Sequence, residues 1–328
     1  MVNDMDVIIV CHTEFGHVVP IRGVRHVVFV KSSVTGVEKG VKSLARLADT
    51  HGAKVTFAVM PETAQNFPDV GNGHEIGLHV HAGWLEAEFF GIKCQIGDRW
   101  LRAHSTQSVD STFLRDHAFG EQLEMIRAGK EYILECFEKE PKAFVAGSWS
   151  INNDTVRALV EAGISHECSG VAHTKTEFDD WSKLPRICMP YYADADDYQL
   201  RGNLPLLMVP ISQMLVGSSV NPEHVPLWGL SWLKACFAEY YAQNLPVFHI
   251  CLHSPSMTDP FFVDALNELL LFIRLHKDVE FKCASEIEEH DGNAARTKLA
   301  PYLAAINKTI LMRPIPRIRD VAGRIIRG

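Results

Sequence analysis

Short apolar runs alternate with segments of helical spacing along most of this chain, and no other feature restricts its fold as tightly. Val7–Val10 is an apolar run between polar neighbours, which reads as a buried strand. Lys54–Val59, Glu75–Val80, Ala143–Ala146, Leu206–Ile211, Val247–Leu252 and Val279–Cys283 read the same way, with Val27–Val30 as a further short strand in an insertion. Helical spacing covers Val37–His51, where Val37, Val41, Leu44, Leu47 and Ala48 form one stripe and Gly52 supplies a stop. Glu121–Lys139, Asn153–Ala162, Leu230–Gln243 and Pro260–His276 are the other helices. Strands this apolar must be covered, and helices between them do the covering. The pattern therefore predicts an α/β fold, and so many units in one chain favour a barrel over an open sheet. The stretch 84–118 lacks a period and is predicted to be a loop insertion beside the barrel mouth.

Composition matters for what it excludes. Hydrophobic residues at 47% and charged residues at 22% can fill a core, so disorder is excluded. A net charge of −8 argues against nucleic acid as a partner. No apolar run reaches the length of a membrane span. Two acids, Asp4 and Asp6, precede the first apolar run, unlike a secretory signal, so a cytoplasmic location is expected. The eight cysteines are scattered without a C-x-x-C pair and read as reduced, mostly small core residues. Phosphate-cradling glycine loops and the G-x-S-x-G elbow are both missing. Charge is uneven, however: residues 293–328 carry eight basic side chains against Asp320 alone. This divides the chain into a barrel over 1–292 and a basic C-terminal helical extension over 293–328. The extension, which also holds Ile310, Leu311, Ile325 and Ile326, suits either docking on the domain or peripheral contact with an anionic membrane face.

Polar residues recur just where the strands end: Cys11–Glu14, Val80–His81, Gly147–Trp149 and His253–Ser254. In a barrel those ends share one mouth, where catalytic groups gather. His79 and His81 are two apart on a strand and so project together, which is half of a common zinc site. His12 and Glu14 repeat that spacing after the first strand. Glu14 is either a solvated loop carboxylate or the partner of a metal. In Val247–His253, alternation puts His249 in the interior as a core histidine and leaves His253 at the polar end, suited to proton transfer. His74 falls at the opposite end of its strand and is read as structural.

The order of these pieces resembles the polysaccharide deacetylase family with its NodB-homology domain (carbohydrate esterase family 4). The resemblance rests on His74-Glu75-Ile76-Gly77-Leu78-His79, on Trp149-Ser150-Ile151-Asn152-Asn153-Asp154-Thr155 running to Ala162-Gly163, and on Cys251-Leu252-His253. It spans roughly residues 6–290 and is closest to a divergent, WbmS-like branch tied to surface-polysaccharide and O-antigen loci. It implies a distorted (β/α)7 barrel with one divalent metal, zinc favoured over Co, Ni or Fe. It also implies Glu14, His79 and His81 as ligands, His12 at the position of the base, and His253 as the acid. The reaction it implies is metal-assisted removal of an N-acyl group from a sugar or glycan.

Three positions depart from that pattern. His12 stands where the family has an aspartate, and it can serve as a weaker base or a fourth ligand. Val145 stands where many relatives have the arginine that orients the base, and His81 follows His79 by two residues, not four. A catalytically silent carbohydrate-binding relative therefore remains an alternative, as does another metal-dependent amidohydrolase such as a deformylase. Trp84 and Trp149 near the mouth, with Asp180 and Tyr191 in a long loop, are the candidate sugar-binding residues.

Overall fold

The first apolar run extends well beyond its four-residue core. In the computed structural model, β1 covers Met5–Thr13 and is buried at every position. Residues 4–21, 24–29, 34–83, 97–105, 107–109, 111–214 and 218–290 are described. After β1 come β2 (Gly16–Ile21), β3 (Val24–Phe29), α1 (Thr35–Thr50), β4 (Thr56–Val59) and β5 (Glu75–Val80). Next are α2 (Asp98–Ser105), α3 (Phe119–Phe137), β6 (Ala143–Ala146), α4 (Asn153–Glu161) and β7 (His166–Glu167). The strands β8 (Tyr191–Tyr192), β9 (Leu207–Met208), β10 (Gln213–Met214) and β11 (Ser218–Ser219) are two residues each. Then follow α5 (Val225–Trp228), α6 (Leu230–Ala242), β12 (Val247–His253), α7 (Pro260–Ile273) and β13 (Val279–Lys282).

The main sheet runs β12-β1-β4-β5-β6-β7-β9-β8. All neighbours on that path are parallel except β8, which is antiparallel to β9. β13 shares one edge of β1 with β4, pairing Met5–Ile8 while β4 pairs Val10–Thr13. The path curls through 239°, a distorted half-barrel. The segment after β9 crosses toward β12, where Ser212 N donates to His249 O at 3.2 Å and Cys251 N donates to Val220 O at 3.0 Å.

Strand alternation sorts the core into two clusters. Val7, Ile9 and Cys11 face the helices, with Val41 and Leu44 of α1 and Phe237 of α6. Ile8, Val10, Ala58, Ala143, Val145 and Val247 belong to a separate cluster on the concave side. Because the concave residues are mostly small, the strands can curl tightly. His12, His79, His81 and His253 continue these inward rows at the C-terminal ends. The register places His12 directly beside His253.

Three expectations require correction. The stretch 84–118 is not all loop, because 98–105 form α2, which buries Trp100 and Ala103. A helix of two turns offers too few buried positions to show a period. The insertion strand expected at 27–30 is instead β3, over Val24–Phe29, and is one arm of a hairpin with β2. The strand expected at 206–211 narrows to β9, because Pro210 cannot donate to a ladder. The extension 293–328 lies outside the described residues.

β12 carries His253, and its outer face is pinned by Phe248, which meets Phe237 and Tyr240 of α6 edge-on at 5.2 and 5.3 Å. Phe248→Ala is expected to lower stability by about 3–5 kcal/mol. Urea unfolding should show a lower midpoint with an unchanged slope; a midpoint within error of the parent would contradict this packing account.

Candidate active site

At the mouth, one carboxylate oxygen faces two imidazoles. Glu14 Oε1 lies 3.2 Å from His79 Nε2 and 3.4 Å from His81 Nε2. His79 Nδ1 lies 2.9 Å from the carbonyl of Val145. A carbonyl only accepts, so Nδ1 carries the proton and Nε2 is the nitrogen turned on Glu14. A proton or a cation must sit between Nε2 and Oε1, since two lone pairs would otherwise repel. His12, Glu14 and His79 also form a buried group whose ligand atoms all lie within 4.8 Å of one another. Imidazole nitrogens and a carboxylate oxygen converging in this way fit a divalent ion, and hydrogen bonding of the outer nitrogen to a carbonyl is usual for a ligating histidine.

The electrostatics follow from burial. Burial works to raise the Glu14 pKa, but His253 and the hydrogen bonds from His79 and His81 outweigh it, so the carboxyl is held well below its ordinary range. Burial, then the charges of His253 and His79, pushes His12 well below the ordinary imidazole value. Burial lowers His81 as well. The His12 ring stands 5.0 Å from that of His79 and 4.6 Å from that of His253. The His12 Nε2 lies 3.6 Å from Cys251 Sγ.

His253 is held by a residue that sequence reasoning missed. Glu223 is buried and binds it twice: its Oε1 accepts the His253 backbone N–H at 2.8 Å, and its Oε2 meets Nδ1 at 2.9 Å. Asn221 steadies Glu223 through Nδ2 at 2.8 Å and through the Glu223 backbone N–H on Asn221 Oδ1, also 2.8 Å. The Asn221-Pro222 pair announces a turn, but nothing local points thirty residues ahead to His253.

Gly147, at the end of β6, is also essential to the site. A Cβ there would come within 2.5 Å of His81 Nδ1. Directly after it, Ser148 and Trp149 both adopt positive φ, 53° and 54°. Such strain in residues with side chains gathers at functional sites. Trp149 is half-buried, and its carbonyl accepts Trp181 Nε1–H at 3.1 Å. Asp180 and Tyr191 are committed elsewhere: Asp180 pairs with Lys175 at 2.5 Å, and buried Tyr191 donates its hydroxyl to Tyr198 O at 2.8 Å. Trp84 lies outside the described residues. His249 is a fully buried core histidine with Nδ1 3.1 Å from Val209 O, and His74 sits at the far end of β5, accepting from Val55 N at 3.2 Å.

The architecture is shared with solved structures. A protein described as a polysaccharide deacetylase from Mycobacterium smegmatis superposes with a TM-score of 0.54 at 15% identity, covering 87% of this chain and 89% of that one. Another so described, from Pseudomonas aeruginosa PAO1, gives 0.53 at 17% identity over the same shares. A structure described as Puue allantoinase gives 0.54 at 18% identity, again over 87% and 89%. No family model and no curated protein matches the chain. The fold is thus that of the NodB-type polysaccharide deacetylases, reached at low sequence identity.

Two predictions follow from this geometry. Gly147→Ala should displace the His81 ring and weaken the binding of an added divalent ion by about 10–100-fold, read by competition with a chromophoric chelator; unchanged affinity would refute the close approach. Glu62, fully buried just beyond β4, has its pKa pushed up to about 7 by burial. Stability from its neutral form is complete below the ordinary value of 4.5 and is lost as pH rises through about 7. Glu62→Gln should therefore match the parent at pH 4 and exceed it at pH 8, by a margin on the order of 3 kcal/mol at most. Equal melting temperatures at pH 8 would show the carboxyl is not so buried.

Proposed function

We propose that this protein is a metal-dependent hydrolase that removes an N-acyl group, acetyl in the first instance, from a sugar or glycan. The observation that carries the reading is the convergence of His79 and His81 on one oxygen of Glu14, beside a histidine backed by a buried carboxylate. Glu14, His79 and His81 would hold the ion, with zinc favoured by the imidazoles and Co, Ni or Fe using the same donors. Such an ion supplies Lewis-acid polarisation of an amide carbonyl and a lowered pKa for water.

The chain's own residues do the rest. Glu223 pairs with His253 Nδ1, which supports Nε2 as the nitrogen that exchanges a proton with substrate. From there the proton passes to the departing amine, which is too poor a leaving group without it. His12 is neutral by virtue of its burial and serves either as proton acceptor or as an added ligand. Trp149 would offer a flat face to a sugar ring, and Trp84 is proposed for the same role from the sequence alone; Asp180 and Tyr191 would line the groove only through the loop that carries them.

The surface-polysaccharide setting, an O-antigen or lipopolysaccharide precursor handled by a WbmS-like branch, is supported by the motif order. Among the described residues no helix is long and apolar enough to cross a membrane. A cytoplasmic enzyme touching the inner face of the membrane through residues 293–328 agrees with the basic charge of that segment. Two further readings have specific support. One fold relative is named for allantoin, which favours a non-sugar amide as the second choice. His12 and Val145, in place of aspartate and arginine, favour a silent glycan-binding relative as the third.

The test is acetate release from a panel of N-acetylated sugars by the zinc-loaded protein, alongside Glu14→Ala and His253→Ala. Glu14→Ala should lose both metal and turnover. His253→Ala should keep the metal and lose about 10²–10⁴ in rate. Stoichiometric metal with glycan binding and no release of acetate or other acid would sink the hydrolase reading.

A further inference from the structure

The two chain segments that carry Glu14 and His253 meet under one helix. α1 has glycines at 36 and 40, one turn apart and both buried. A Cβ on Gly36 would lie 2.4 Å from Phe15 O, and one on Gly40 would lie 1.9 Å from Ser254 O. No side chain fits at either point, so the helix backbone rests directly on the turns leaving β1 and β12.

The parallel ladder between those strands reaches its last rung at His12 and His253. Beyond it, a side chain takes over the pairing. Ser254 Oγ accepts the backbone N–H of Glu14 at 3.2 Å and donates its own proton to Glu14 O at 3.2 Å. Ser254 is wholly buried. One hydroxyl thus satisfies both main-chain groups of the carboxylate residue, and it hangs from the residue that follows the histidine.

We propose that Ser254 is a positioning residue, whose hydroxyl, pressed into place by the glycine face of α1, sets the separation between the Glu14 carboxylate and the His253 imidazole. The inference rests on the metal-hydrolase reading above and adds to it the part that sets the spacing. A hydroxyl is suited to this role because it donates and accepts at once, as a backbone rung would. Alanine at 254 would remove both of these bonds to the main chain of Glu14 and let that segment shift.

The experiment is zinc titration and the visible spectrum of the cobalt-substituted full chain, for the parent, Ser254→Ala, Ser254→Thr, Gly40→Ala and Glu14→Ala. Ser254→Ala should bind zinc about 10–100-fold more weakly and shift the cobalt bands, with Ser254→Thr restoring both because the hydroxyl returns. Gly40→Ala, which leaves the hydroxyl in place but pushes on its turn, should shift the same bands. Should Ser254→Ala fail to fold, Gly40→Ala and Ser254→Thr decide between the outcomes. A folded Ser254→Ala with parental affinity and bands, while Glu14→Ala loses its metal, overturns the positioning role alone. Equal trace metal in the parent and Glu14→Ala overturns the metal reading and this inference with it.

Discussion

A carboxylate withdrawn from water governs this structure. Glu14 is less than a tenth exposed, yet its carboxyl is held in the ionised form. An isolated buried charge is very costly, so the fold must bring compensating partners to it and hold them there. Each strand end at the mouth provides part of that answer. β5 supplies two imidazoles on one face, β6 supplies the Val145 carbonyl that orients the first and the Gly147 gap that admits the second, and β12 supplies His253. The inner face of small residues matters for the same reason: Ala58, Ala143 and Gly77 allow β4, β5 and β6 to curl until groups far apart in sequence meet.

The elements that carry the site were legible because each had a periodic or compositional signal of its own. β5 and β6 fall at Glu75–Val80 and Ala143–Ala146, as their apolar runs predict. α4 begins where Asn152 can accept from Thr155 N, a capping pattern visible in the letters themselves. The His-x-His spacing is likewise local, since a strand's two-residue period fixes which side chains point together. What could not be read was non-local. The two-residue strands β7, β8 and β9 owe their existence to neighbours, not to propensity. Glu223 reaches His253 across thirty residues from a short turn, and Ser254 bonds Glu14 across 240. Gly36, Gly40 and Gly147 look like ordinary glycines until the atoms that would collide with a Cβ are known.

Two of the departures from the deacetylase pattern make more sense together than apart. In deacetylases with the usual motifs, as the resemblance implies, an arginine orients an aspartate base. Here Val145 sends its side chain into the apolar concave cluster, and His12, one row above Val10, is kept uncharged by burial and by the neighbouring imidazoles. Removing one partner of a buried charged pair strands the other, whereas replacing both with groups that need no countercharge can be nearly neutral. An uncharged His12 and an apolar Val145 each need no countercharge, so neither strands a charge in this buried site.

That balance also bears on what His12 can do. A base beside a dication must bind a proton in competition with the ion's field, and His12 already resists protonation through burial and the neighbouring imidazoles. The same neutrality is what a ligand requires, because imidazole coordinates through an unprotonated nitrogen. Cys251 Sγ, 3.6 Å from Nε2, is a weak, uncharged neighbour that does not hold the ring in its protonated form. Under the proposed metal-hydrolase reading, a neutral His12 suits the role of added donor better than that of proton acceptor. The same reading leaves general acid–base work to His253, whose Nδ1 is paired with the buried carboxylate of Glu223.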